Sequence, residues 1–166
     1  NSINELGNAI NRQDEATTLL NQLKQAEEAA LANKTEQAPT VAIIFGAGYT
    51  FMLATESSYL GDLAKTLGAI NIASEIDTNI ESAYIQFSLE QILAQNPDYV
   101  LRFAHGNIEE TSKMFDEAFD KNEACQQLDA VADGKVYDLD STIFNVSANL
   151  KVTEAITKLG EILYGN

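Results

Sequence analysis

Tyr99-Val100-Leu101-Arg102-Phe103-Ala104, followed by His105 and then by Gly106-Asn107-Ile108-Glu109-Glu110, is the stretch that decides the fold of this chain. A short continuous run, apolar but for one arginine, reads as a buried strand. Asn107 with Glu110 three residues later is the pattern of a capped helix start. Strand, turn and helix in that order form the repeating unit of α/β sheets, and open parallel sheets bind ligands outside the carboxyl ends of their strands. His105, the only histidine in the chain, stands at such an end. Imidazole there is suited to metal ligation, to general acid/base work or to pH sensing. It is equally suited to a solvated loop, and position alone does not choose.

Working outward, Thr40-Val-Ala-Ile-Ile-Phe45 reads as a second buried strand ending at Gly46-Ala-Gly48, and Lys135-Val-Tyr-Asp-Leu139 as a third after the Asp133-Gly134 turn. The glycine loop fits neither dinucleotide nor P-loop spacing and holds no lysine. Helical periodicity predicts helices over about 56–67, from Ser88 (with Gln91 completing a capping box) to Asn96-Pro97, after Asn107, around 122–131, and over about 149–164. A short strand is expected at 70–73. The first 33 residues carry Ile3, Leu6, Ile10, Leu19, Leu20, Leu23, Ala26, Ala30 and Leu31 at three- and four-residue spacings, an amphipathic helix interrupted near Asn11 to Asp14. Alternating strands and helices predict a three-layer, Rossmann-like α/β lobe with a mostly parallel sheet, entered by a long helix.

At 166 residues and 45% apolar content the chain supports one core. Twenty-five acidic against ten basic residues give a formal charge of −15, which disfavours nucleic acid and anionic membrane as partners. No run reaches the ~18 apolar residues of a spanning helix. The opening residues already read as helix, so the chain is expected to be cut from a larger protein.

The residues offer little to an enzyme. Cys125 is alone, which excludes an internal disulfide and a thiolate metal cage, and its helical surroundings suit a small buried hydrophobe. There is no Gly-x-Ser-x-Gly elbow. One chemistry needs only one histidine from a lobe: axial ligation of haem iron, with the second ligand supplied from elsewhere. Tyr49, Phe51, Tyr84, Phe87 and Phe144 fall in or near loops where an aromatic wall is possible, and each suits a core position as well.

The chain resembles the carboxy-terminal lobe of a class III solute-binding protein of an ABC importer, most like the Isd-type haem-receptor lipoproteins of Gram-positive bacteria. The resemblance rests on Phe45-Gly46, on Ala54-Thr-Glu-Ser-Ser-Tyr-Leu-Gly-Asp-Leu63, on Asn96-Pro-Asp-Tyr-Val-Leu-Arg102, and on His105-Gly106 with Glu109-Glu110 and Lys113-Met-Phe115. Val136-Tyr-Asp-Leu139 and Phe144 with Ala148-Asn149 complete it. These pieces run in order over about four-fifths of the chain. The resemblance implies that residues 1–36 are the helix joining two lobes and 37–166 the carboxy-terminal ligand-binding lobe. It implies that His105 is an axial haem ligand and that a methionine of the amino-terminal lobe is the other. Met52 and Met114 do not match that methionine and are expected to be buried.

Arg102 matches too, with a haem propionate or a carboxylate at the strand end as its partner. Tyr84 matches a cleft-facing aromatic, and Phe144 is a candidate on the same grounds. Glu90 is expected to favour its helix start and, by resemblance, to dock on an arginine of the permease. The implied function is haem capture at the outer face of the cytoplasmic membrane, by a lipid-anchored protein that serves an ABC permease and ATPase and takes haem from surface donor proteins. A siderophore or corrinoid receptor of the same class is the alternative, and a doubly wound cofactor-dependent enzyme the alternative from another class. An acidic, ligand-free interaction module is a further one. The chain departs from the family in the loop 46–50 and at Cys125, where the family has a bulky aromatic.

Overall fold

The computed structural model describes residues 2–47, 50–76, 81–105, 108–147 and 151–165. The expected cap residue Asn107 with Gly106, Gly48 and Tyr49 of the expected glycine loop, and Ala148-Asn149 lie outside them. Two helices open the chain, α1 (Ser2–Ala9) and α2 (Gln13–Ala30). The expected interruption falls at Asn11, whose φ of 56° is left-handed, a conformation that asparagine tolerates better than most residues. Gly7 lets the two helices fold closely together, since a Cβ there would collide with that of Ala16.

The sheet is built on β1 (Thr40–Ala47) and β5 (Tyr99–His105), which run parallel in the register Val41–Tyr99 to Ala47–His105. Their starts are locked together by side chains: the Thr40 amide donates to Asp98 Oδ2 (2.7 Å) and the Asp98 amide donates to Thr40 Oγ1 (2.9 Å). β6 (Val136–Asp138) adds in parallel beyond β5, and β3 (Ile70–Asn71) in parallel beside the start of β1. β2 (Thr50–Ala54) and β4 (Tyr84–Gln86) extend the other edge antiparallel, giving the order β4-β2-β1-β5-β6. The mostly parallel sheet is therefore as expected at its centre. The antiparallel edge was not expected: β1 continues through Gly46 and Ala47 where a glycine loop was anticipated, and Phe51-Met52-Leu53-Ala54 returns along it.

Helices cover both faces. On one, Val41, Ile43, Phe45, Leu101 and Phe103 meet α3 (Tyr59–Thr66), α8 (Val152–Tyr164) and the end of α2. Gly160 permits the α2–α8 contact, because a Cβ there would strike Ala30. On the other, Ala42, Ile44, Val100 and Ala104 meet α4 (Ala73–Ile76), α5 (Leu89–Gln95), α6 (Ile108–Phe115) and α7 (Asp129–Ala132). α6 passes directly into a π-helical turn at Asp116–Asp120, and a 3₁₀ turn at Cys125–Gln127 precedes α7. Cys125 is fully buried, with its thiol 3.4 Å from the Ala118 carbonyl, as its sequence setting suggested. No helix among the described residues is long and apolar enough to cross a membrane.

Candidate functional site

His105 closes β5, in register with Ala47 at the end of β1, and its side chain is exposed. Side chains alternate across a strand, so His105 shares a face with Leu101 and Phe103 and opposes Val100, Arg102 and Ala104. Beneath it on that face runs a row of rings: Phe103 packs on Phe45 (5.0 Å between centroids) and Phe45 on Tyr84 (4.8 Å). Met52, opposite Phe45 in the β1–β2 ladder, packs against the same cluster and is half-buried. Met114 on α6 is half-buried as well.

Tyr84 is half-exposed, yet its hydroxyl is buried and has no hydrogen-bond partner among the described residues. Burial pushes its ionisation above the usual tyrosine range. A buried hydroxyl without a partner is costly to keep, and Tyr59 in the same core cluster carries another.

Two residues singled out beside His105 occupy other ground. Phe144 is 2% exposed, a core ring in the cluster below the site, which leaves it no surface for a ligand. Arg102 projects to the opposite face of β5 from His105, so it is not in position to meet a ligand that His105 holds. Its Nε and Nη2 donate to the two carboxylate oxygens of Asp138 (2.7 and 2.6 Å), and its guanidinium lies over Phe115 and Phe119 (5.2 and 5.9 Å to the ring centroids). Of its two expected partners, the strand-end carboxylate is the one this geometry provides. Asp138 had not been singled out. The signal for it is the β5–β6 register, in which Arg102 faces Asp138, and that register is a property of the fold.

A cavity of about 60 Å³ opens beside this pair, lined by Ser112, Leu139 and Ser141 among others. Gly46 brings α6 down onto the sheet here, since a Cβ at this position would collide with Thr111 and crowd Phe115.

Glu90 lies exposed in the first turn of α5, its Oε2 accepting from the Ser88 hydroxyl (3.2 Å), while Ser88 Oγ caps the Gln91 amide (3.3 Å). The carboxylate thus favours the helix start, as expected, and remains open to solvent.

Residues 1–143 match the family described as periplasmic binding protein. The chain is 37% identical, over 98% of its length, to the high-affinity heme uptake system protein IsdE of Staphylococcus aureus strain MRSA252, and spans 55% of that protein. Its fold superposes on an ABC transporter substrate-binding protein from Listeria monocytogenes EGD-e with a TM-score of 0.83, at 35% identity, covering 99% of this chain and 63% of that one. With S. aureus IsdE complexed with heme the TM-score is 0.82 at 36% identity, covering 98% and 62%. The chain thus spans about half the length of the curated relatives it matches.

Proposed function

Since this chain belongs to the periplasmic binding protein family, we propose that it is the carboxy-terminal, ligand-binding lobe of a receptor that captures haem and hands it to an ABC importer. The observation that carries the proposal is His105: one exposed imidazole, at the carboxyl end of the central parallel strand pair, over a row of aromatic rings. Haem needs an axial donor to its iron, apolar contact for its macrocycle and a few polar groups at its edge. His105 supplies the first, and the half-exposed Tyr84, backed by the buried rings of Phe45 and Phe103, the second. Similarity to a heme uptake protein supports the same choice of ligand.

Phe144 and Arg102 stiffen this site from within the fold. Residues 1–36 join the lobe to its amino-terminal partner, which contributes the second axial ligand. No covalent chemistry is performed: haem is held between two lobes and released when the transporter separates them. Glu90, exposed at a helix start, docks on a basic residue of the permease, and the ATPase drives transport. The receptor is anchored by a lipid on the outer face of a Gram-positive membrane and takes haem from surface donor proteins.

Titration of the full-length protein with hemin and, separately, with ferric hydroxamate and catecholate siderophores tests the choice of ligand. Saturable hemin binding with a Soret band, and none of the siderophores bound, is expected. Siderophore binding without a hemin spectrum would overturn the proposal in favour of an iron-chelate receptor.

A further inference from the structure

Resting on the reading of His105 as the haem ligand, we propose that Arg102 and Asp138 are a positioning pair that sets the direction in which His105 leaves the sheet. β6 ends at Asp138, opposite Arg102, and the Leu139 amide donates to the Arg102 carbonyl (2.8 Å) as the chain departs. The last three residues of β5, Phe103 to His105, therefore pair with β1 on one side and lie beyond the end of β6 on the other. Arg102 closes that final rung with a forked, two-bond contact to Asp138, a geometry that fixes direction as well as distance.

The same guanidinium reaches the next element along the chain. Phe115 ends α6, and Phe119 lies in its π-helical continuation; Arg102 covers both rings. One side chain thus ties the strand before His105, the neighbouring strand and the helix after it. Stability alone does not call for an arginine here. The group is 4% exposed, burying a guanidinium is costly, and an apolar side chain would cover the two phenylalanine rings as well. What an apolar side chain does not supply is a fixed direction relative to β6. An interruption of the helical repeat, such as the π-helical turn, is a further mark of segments shaped for function.

The test is a hemin titration of the full-length protein carrying Arg102→Met, Arg102→Lys or Asp138→Asn, with His105→Ala as reference, each first shown to be folded by circular dichroism. The readouts are affinity, Soret position and the low-spin fraction by electron paramagnetic resonance. Arg102→Met and Asp138→Asn should weaken hemin binding on the order of tenfold and yield mixed coordination states, the scale usual for groups that orient a metal ligand. Arg102→Lys keeps the charge and loses the fork, and should fall between. It also carries the test if the methionine variant does not fold.

In a His105→Ala background with added imidazole, the free ligand is not held by the strand, and the Arg102 substitution should then make no difference. Wild-type affinity and spectrum in folded Arg102→Lys and Asp138→Asn, while His105→Ala changes both, would overturn the positioning role alone. An unchanged spectrum in His105→Ala would instead overturn the ligand reading on which it rests.

Discussion

His105 and Arg102 stand three residues apart on one strand and live in opposite surroundings. His105 is exposed at the mouth of the sheet over a row of aromatic rings. Arg102, on the other face, is sealed between Asp138 and two phenylalanines. An odd spacing on a strand separates two side chains more completely than many longer stretches of sequence do. A motif that looks like one site is here an exposed imidazole and a buried ion pair on opposite faces.

The sharpest way to break that contrast is stability. Arg102→Ala removes a nearly buried charge and its packing on Phe115 and Phe119, and should cost about 3 kcal/mol, a fall in melting temperature of roughly 6–12 °C. The figure sits at the low end for buried pairs because the Asp138 side chain is 56% exposed and returns readily to water. His105→Ala, at an exposed position, should stay within about 0.5 kcal/mol of the parent. Equal losses in the two variants, measured by thermal melting, would erase the distinction.

Gly46→Ala sharpens it next. The added methyl meets Thr111 and the Phe115 ring, so α6 must shift off the sheet, at a cost of about 2 kcal/mol in denaturant titration. A neutral result would mean that α6 is not held closely at its start. Ser88→Ala removes the α5 cap and should cost about 1 kcal/mol with hemin affinity unchanged.

The smallest effect concerns the tyrosines. Burial raises the ionisation of Tyr59, Tyr84 and Tyr164 above the ordinary value of 10.0. Each of these groups therefore holds its proton longer folded than unfolded. The stability tied to that difference is fully present below the unfolded value and declines as pH rises beyond it toward the folded one. Ultraviolet titration should show tyrosines ionising late in the native protein, and Tyr84→Phe should remove one of them without lowering stability at pH 7, since its hydroxyl has no partner to lose among the described residues. A marked loss of stability on that substitution would show that the hydroxyl is bonded after all.

Much of this was legible beforehand, for identifiable reasons. β5 and the parallel centre of the sheet follow from continuous apolar runs, the Ser88 cap from its residue spacing, and the break at Asn11 from the failing periodicity around it. β2 and β4 were hidden because short edge strands owe their pairing to a neighbour, and because Gly46 resembles a strand stop when it is in fact a seat for α6. Phe144 looked available because its loop position says nothing of how deeply its ring is packed. The direction of Arg102 was implicit in its odd spacing from His105; its partner Asp138 was not, since register between distant strands is settled only when they pair.

The central claim, that His105 is the residue that holds haem iron, is most directly tested by titrating hemin into the full-length protein, wild type beside His105→Ala, and following the Soret region. A saturable six-coordinate spectrum that the substitution abolishes or converts to another coordination state is the expected result. Identical spectra and affinities for the two proteins would contradict it.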